Sequence, residues 1–212
     1  MPLQNRVTPF GEIIADPARG TFMGNRGGRF HDPKTKTLTR RRWASRQWII
    51  CELEFKDRHR ELMGNSYTVL FFLDEVTALA AGHRPCFECR RAAANAFFSA
   101  YDTFYQAFVG LPPADKRLRA SEMDMLLHIE RIGRDGREPL VPAECPDGTV
   151  FARDGDAWAM RNDRMLRWTP QGYDRAIPAK GINRLRVLTP MTTLCILQHG
   201  YEPIWHETAD TI

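Results

Sequence analysis

Alternation and runs of apolar residues predict two strands in the first third of the chain. Over residues 48–55, apolar side chains alternate with glutamates, which is typical of a strand with one buried face. Residues 67–72 are almost continuously apolar, as in a strand that is buried on both faces. The charged connection at 56–66 would let these two strands pair as a hairpin. The first 47 residues are rich in glycine, arginine and proline and predict only short strands, near 21–23 and 29–30.

Helical patterns follow these strands. Asp74 is a suitable N-cap for a short helix, and Gly82 is suitable for the position just after its end. A longer helix is predicted over 90–108, where aromatic residues recur at helical spacing and are expected to face the core. A Ser-x-x-Asp cap at Ser121 predicts a third helix that ends near Gly133.

The second half of the chain has the pattern of a β-meander. Short alternating runs at 149–153, 156–161 and 164–168 are separated by Asp-Gly and Asn-Asp turns. A further strand is predicted at 184–188 and a closing helix at 190–198. The sequence therefore predicts an α+β fold, in which short strands, a helix, a Cys-x-x-Cys knuckle and a long helix precede a helix and the meander.

A Gly-Leu-Pro-Pro segment at 110–113 is the best candidate for a linker. It predicts a first domain at 1–110 and an α+β half at 114–212, for which the sequence offers no functional motif. The 212 residues carry a net charge of +4 and include no apolar run of about 18 residues. The N-terminus has no apolar signal core, so we expect a soluble cytoplasmic protein with no membrane partner.

The segment with the most distinctive chemistry contains Cys86 and Cys89, which flank Phe87-Glu88 after an Arg-Pro step. Two cysteines at this spacing on a turn restricted by Pro85 suit a zinc knuckle, because a preformed turn loses less entropy on binding. Five scattered cysteines do not resemble a disulfide framework. A redox role is less consistent with the segment, because thioredoxin-type pairs begin a helix and usually enclose Gly-Pro.

A structural zinc ion takes four ligands, so other residues must complete the site. Cys51 lies on the first predicted strand, and the second strand leads towards the knuckle. His31 follows the glycine-rich segment, close to a turn. The alternatives are a buried apolar role for Cys51 and a solvated loop position for His31. The candidate ligands of Zn²⁺ are Cys86, Cys89, His31 and Cys51.

Some 22 residues around the knuckle follow a known pattern: a strand that ends in phenylalanine, a helix with spaced alanines, and then Ala-Gly-x-Arg-Pro-Cys-x-x-Cys-Arg. The matching residues are Val69, Leu70, Phe71, Phe72, Glu75, Ala78, Ala81, Gly82, Arg84, Pro85, Cys86, Cys89 and Arg90. The segment resembles the C-terminal half of the Ada-type zinc domain, the methylphosphotriester-repair module of the Ada DNA-repair protein. His83 stands where that family has an aromatic residue, and Arg91 where it generally has proline.

Residues 23–31 resemble the opening of some relatives of that domain, although Thr35 occupies the position of their cysteine. The resemblance implies a zinc module and a link to DNA damage handling. Methyl transfer is not carried over to this chain, because the Cys-x-x-x-Cys pair that includes the methyl acceptor is missing.

A basic segment over residues 34–46 contains six cations and a tryptophan but no acidic residue. Cations neutralise phosphates and a tryptophan stacks on a base, so the segment predicts a surface that binds nucleic acid. The Ada-type resemblance implies that this nucleic acid is DNA. The alternative is a solvated basic loop. The candidate residues are Lys34, Lys36, Arg40, Arg41, Arg42, Trp43 and Arg46.

These observations favour a zinc-binding protein that binds nucleic acid and holds a structural metal. Two other classes stay open. One is a zinc-dependent enzyme that transfers an alkyl group to a cysteine or hydrolyses a substrate at the metal. The other is a protein-interaction module that zinc stabilises. The chain has no Gly-x-Ser-x-Gly, no phosphate-binding loop and no His-Glu-x-x-His.

Overall fold

The computed structural model of the chain describes residues 1–57, 61–109, 118–133 and 137–212. Strands and helices are mixed along these residues, which confirms the α+β class. The elements that precede the long helix are, in chain order, β1 (Gln4–Val7), β2 (Ile13–Ala15), β3 (Phe22–Arg26), β4 (His31–Asp32), β5 (Thr37–Leu38), β6 (Trp48–Cys51), β7 (Leu70–Phe72), α1 (Glu75–Ala80) and β8 (Arg84–Pro85). The later elements include α2 (Arg91–Val109), α3 (Ala120–Ile132), β9 (Val150–Arg153), β10 (Asp156–Arg161), β11 (Arg164–Thr169), β12 (Gly172–Pro178), β13 (Arg186–Val187) and α4 (Met191–Gln198). No helix among the described residues combines the length and the apolar character needed to cross a membrane.

The first sheet has the strand order β2-β1-β7-β3-β6-β8. The predicted hairpin between β6 and β7 is therefore wrong, because β3 lies between them and pairs antiparallel with both. Gly24 makes this close packing feasible. A Cβ atom at Gly24 would lie 2.1 Å from the carbonyl oxygen of Ile49 and 2.8 Å from the ring of Phe72. Glycine in a strand thus marks close backbone approach here.

The helix α1 follows the sequence prediction closely. The Oδ1 atom of Asp74 accepts a hydrogen bond from the backbone N–H of Thr77 at 2.8 Å, as an N-cap should. The chain leaves the helix through Gly82 at a φ of +86°, a left-handed conformation that favours glycine. All six residues of α1 are buried, since the helix packs against the first sheet and also against β9.

The predicted β-meander is confirmed and forms a second sheet of order β12-β11-β10-β9-β13. Antiparallel pairing joins each successive strand of the meander, and β13 adds to its β9 edge. The turns contain residues with positive φ at Asp154-Gly155 and Asn162-Asp163, where the sequence indicated them.

The long helices differ from their predictions in two details. Phe97 and Phe98 of α2 are buried, but Tyr105 and Phe108 are 42% and 79% exposed, so the aromatic stripe faces the core only over its first half. Helix α3 begins one residue before Ser121. Its first turn is closed instead by the Glu122 carboxylate, which accepts a hydrogen bond from the backbone N–H of Arg119 at 2.6 Å.

The hydrophobic clusters contain residues from both halves of the sequence. Leu197 and Tyr201 pack with residues of the first sheet and α2, while Val76 and Ala80 of α1 pack with the second sheet. The predicted linker at 110–113 lies outside the described residues, and the division into 1–110 and 114–212 stays a prediction.

Two fully buried carboxylates fix these halves to each other. Glu75 accepts two hydrogen bonds from the Arg90 guanidinium at 2.7 and 2.9 Å and one from the Tyr201 hydroxyl at 2.6 Å. Asp74 accepts a hydrogen bond from the Tyr173 hydroxyl at 2.9 Å. Burial raises the pKa of Asp74, against the lowering effect of its hydrogen bonds from Thr77, Tyr173 and His206.

A second buried ion pair joins α3 to the segment just before the knuckle. The Arg84 guanidinium donates to both oxygens of Asp124 at 2.8 and 2.9 Å, and the two side chains are 2% and 8% exposed. Helix α3 also reaches this segment through Arg131, which donates to the carbonyl of Gly82 at 2.7 Å. The helix thus holds the chain that leads into Cys86.

We expect Asp124→Ala to lower the free energy of unfolding by about 3–5 kcal/mol, because the substitution leaves the Arg84 guanidinium buried without its counter-charge. Urea denaturation followed by circular dichroism measures the change. Asp174→Ala is the matched control, since Asp174 forms a similar two-bond pair with Arg167 at the surface, where the side chains are 41% and 34% exposed. A loss for Asp124→Ala no larger than for this control would contradict the role assigned to the buried pair.

Candidate metal centre

Strand pairing places Cys51 beside Cys86. The short strand β8 runs parallel to β6, with Ile50 opposite Pro85. The backbone N–H of Cys86 donates to the carbonyl of Ile50 at 2.9 Å. Each strand then continues into a cysteine, so the register brings together two thiols that are 35 positions apart in the sequence.

The knuckle turn brings Cys89 to the same place. The backbone N–H of Arg90 donates to the carbonyl of Cys86 at 3.0 Å, which closes the turn just before α2 begins. Inside the turn, the backbone N–H of Glu88 points at the Cys86 sulfur at 3.3 Å. Arg90 itself is fixed by Glu75 and by Glu52, whose carboxylate lies 3.0 Å from the Arg90 Nε atom. The turn is therefore held by its own backbone hydrogen bond and by the ion pairs of Arg90, the residue that follows it.

The sulfur atoms of Cys51, Cys86 and Cys89 all lie within 4.8 Å of one another. A tetrahedral zinc ion with Zn–S bonds of about 2.3 Å separates its sulfur ligands by about 3.8 Å, so the three thiols fit such an ion with small adjustments. Thiolates are the soft ligands that zinc and similar ions select. Among the described residues, no ligand atom of a histidine, aspartate or glutamate lies within 4.8 Å of all three sulfur atoms.

The thiols perturb one another's ionisation. Hydrogen bonds from the thiols of Cys51 and Cys89, followed by the backbone N–H groups of the turn, lower the pKa of Cys86 below its ordinary value, although burial opposes them. The same thiol–thiol interactions, together with burial, raise the pKa of Cys51. One thiolate is thus stabilised within the cluster before any metal binds.

The structure does not bring His31, the histidine among the predicted ligands, into the three-cysteine group. The His31 ring is buried, with Nδ1 2.7 Å from the Thr68 hydroxyl and Nε2 2.7 Å from the carbonyl of Gly64. Both ring nitrogens therefore have hydrogen-bond partners. The histidine connects the hairpin of β4 and β5 to the chain before β7, so its role is structural and it is not a solvated loop residue either.

A pocket of about 310 Å³ opens beside the three cysteines, all of which line it. Most of its wall is apolar and includes Met23, Ile49, Leu53, Phe55, Val69 and Phe71. Its polar lining comes from Asn25, Glu52, Tyr67 and Glu88. The alternation at 48–55 indicated one apolar face, and Ile49, Leu53 and Phe55 of that face line the pocket. The contributions of Asn25 and Tyr67 were missed, because no local signal links them to the knuckle.

All seven residues predicted to bind nucleic acid are exposed. Lys36 forms an ion pair with Glu61 at 2.8 Å, and the Trp43 ring lies 6.0 Å from the rings of Trp48 and His128. The segment follows β4, contains β5 and ends shortly before β6 begins at Trp48, whereas Cys51 is the last residue of β6. Cys51 lies three residues along the strand from Trp48, which corresponds to about 10 Å. The basic segment and the cysteines therefore occupy opposite ends of this strand.

No protein-family model, curated protein or solved structure matches the chain.

We expect Cys86 to be ionised at neutral pH in the reduced, metal-free protein, because its pKa is lowered, whereas burial raises the pKa of Cys145 to about 11. The ultraviolet absorbance of thiolates, followed as a function of pH, measures both groups. Cys86→Ser should remove absorbance at pH 7, while Cys145→Ser should remove absorbance only in strongly alkaline solution. Equal effects of the two substitutions at pH 7 would contradict the stabilised thiolate.

Proposed function

We propose that the protein binds one zinc ion through the thiolates of Cys51, Cys86 and Cys89, with the fourth coordination position directed to the adjoining pocket. The observation that carries this proposal is the convergence of three sulfur atoms within 4.8 Å on the wall of that pocket. Three protein ligands and one open position are typical of zinc sites that act on a bound molecule, whereas structural zinc sites have four protein ligands. Because the described residues supply three ligands, ligand binding or catalysis at the metal is favoured over a purely structural ion.

The residues around the cysteines suit such a role. A zinc ion in this position would act as a Lewis acid that polarises a bound group or stabilises a bound anion. The apolar walls exclude water around a bound molecule, and Asn25 and Tyr67 offer polar atoms that would orient it. The buried pairs at Arg84 and Arg90 keep the knuckle rigid. All five cysteines are free in the structure, as the proposal requires of its ligands.

We expect purified wild-type protein to contain about one zinc ion per chain, because the thiolates of all three cysteines act as ligands. Cys51→Ser, Cys86→Ser and Cys89→Ser should each lower the zinc content severalfold, measured by elemental analysis after dialysis. Cys145→Ser and Cys195→Ser are the matched controls and should retain the ion, since neither belongs to the cluster.

Two further variants identify any additional ligand. His31→Ala should retain zinc, since both nitrogens of that ring have other partners. His59 lies outside the described residues, and His59→Ala should likewise retain zinc if the fourth position is open. Absence of metal from freshly reduced wild-type protein would overturn the proposed zinc site. Loss of zinc on either histidine substitution would overturn its open fourth position.

A second candidate function is nucleic-acid binding by the basic segment. It is supported by the exposure of all six cations and of Trp43, which is 41% exposed and so presents part of its ring to solvent. The Ada-type resemblance adds DNA damage as the setting, and that link rests on the resemblance alone. In this arrangement the metal centre would not touch the phosphates that the basic segment binds, because the two features lie at opposite ends of β6.

We expect binding of single- or double-stranded DNA to weaken with salt, at a slope of about −4 to −5 on a log–log plot if all six cations contact phosphates. Arg41→Glu combined with Arg42→Glu should reduce the affinity at least tenfold and make the slope less steep by about 1–2 units. Arg175→Glu with Arg184→Glu is the matched control, because it makes the same change in net charge at exposed positions elsewhere. Fluorescence anisotropy at several salt concentrations measures both quantities. Equal losses in the two double variants would contradict a specific basic surface, and no binding at all would favour a protein-interaction role.

A further inference from the structure

We propose that the pocket beside Cys51, Cys86 and Cys89 binds a small, uncharged or cationic thiol, whose sulfur takes the fourth coordination position. This inference rests on the proposed zinc site and names the class of molecule that the site would accept. It follows from three properties of the described residues: the softness of the ligand set, the size and walls of the pocket, and the sign of the charges that line it.

The ligand set favours sulfur as the fourth donor. Three thiolates make a soft environment, and a fourth sulfur completes the tetrahedral arrangement that zinc adopts in sites with four cysteines. No fourth cysteine, histidine or carboxylate of the described residues meets the three sulfur atoms within 4.8 Å. A sulfur from outside the chain would therefore supply what the described part of the protein lacks.

The pocket has the dimensions of a site for a small molecule. Its volume of about 310 Å³ lies at the lower end of the range of ligand pockets. Apolar side chains form most of the wall, and they come from β3, β6 and β7, among them Met23, Ile49 and Phe71, and from the chain between β6 and β7. An alkyl or aromatic body a few atoms long would bury apolar surface there, while Asn25 and Tyr67 would contact a polar group.

Charge selects against anionic molecules. The described residues that line the pocket include the carboxylates of Glu52 and Glu88 and no lysine, arginine or histidine. Zinc with three thiolates would add one net negative charge. Arg90 offsets Glu52, and Glu75 in turn offsets Arg90, so these three residues together carry a net negative charge beside the cysteines. Phosphates and carboxylates are therefore disfavoured, and an ammonium group at the mouth of the pocket is favoured.

The binding step is balanced without an oxidant or a reductant. The thiol of the incoming molecule would lose its proton to solvent, and its sulfur would donate a lone pair to the metal in exchange for the water molecule that leaves the fourth position. No bond of the protein is formed or broken, and no electron is transferred between the molecules. The metal stabilises the thiolate, as it does for coordinating thiols in general.

The test uses protein loaded with Co²⁺, which reports sulfur ligation through its charge-transfer absorption. Addition of 2-aminoethanethiol should raise that absorption by about one third, because the number of sulfur ligands rises from three to four. Ethanolamine carries the same ammonium group without sulfur and should leave the spectrum unchanged. The anionic 3-mercaptopropionate should bind several times more weakly than 2-aminoethanethiol. Cobalt content after desalting verifies that the thiol has not removed the metal.

Two substitutions locate the effect in the pocket. Glu88→Gln should reduce the preference for the cationic thiol about 2- to 5-fold, whereas Glu54→Gln, a nearby exposed carboxylate outside the pocket, should leave the preference unchanged. Leu53→Trp should fill the mouth and weaken thiol binding about tenfold with cobalt retained. Ile204→Trp is its control at an exposed position outside the pocket lining.

The outcomes separate this inference from the proposed zinc site. If cobalt fails to bind, or if Cys86→Ser binds it equally well, the zinc site itself is overturned. If cobalt binds at the three cysteines but the spectrum does not respond to 2-aminoethanethiol, the zinc site stands and thiol binding is overturned. A response that Leu53→Trp leaves unchanged would place the thiol outside the pocket and would also overturn the inference.

Discussion

The parallel pairing of β6 with β8 is the constraint on which the candidate site depends. It consists of only two residue pairs, yet it places Cys51 next to Cys86, which is 35 positions away in the sequence. Such a short parallel contact needs support from outside the sheet. Helix α3 supplies it through the buried Arg84–Asp124 pair and the bond from Arg131 to Gly82. The geometry of the sulfur cluster therefore rests on a helix that contributes no ligand to it.

Buried charged side chains also hold other segments of the molecule together. Asp74 and Glu75 stand side by side at the start of α1, and each accepts hydrogen bonds from the second half of the chain. Because a buried carboxylate is costly without such partners, the pairing favours one arrangement of the two halves. Glu75 also fixes Arg90, the first residue after the knuckle. The element that joins the halves thus also positions Cys89.

The three-cysteine group and the basic segment are separate surfaces with opposite electrostatic character. The pocket beside the cysteines has carboxylates in its lining, whereas the basic segment presents cations and Trp43 to solvent. Strand β6 connects them, since one surface begins before Trp48 and the other follows Ile50. A molecule held at the sulfur cluster and an acidic partner bound by the basic segment would therefore be recognised by different physical means.

The sequence by itself determined the elements whose signals are local. The cap at Asp74, the turn at Gly82, the meander turns and the Cys86–Cys89 knuckle follow from short patterns, because capping and turn geometry involve residues a few positions apart. Only the tertiary structure decided that β3 separates β6 from β7, that Cys51 joins the knuckle, and that His31 binds Thr68 and Gly64 instead. Each of these depends on which strands become neighbours, and Gly24 permits a close approach that no local pattern specifies. The pocket next to the cysteines is likewise a product of strand order, since its walls come from segments that are distant in the sequence.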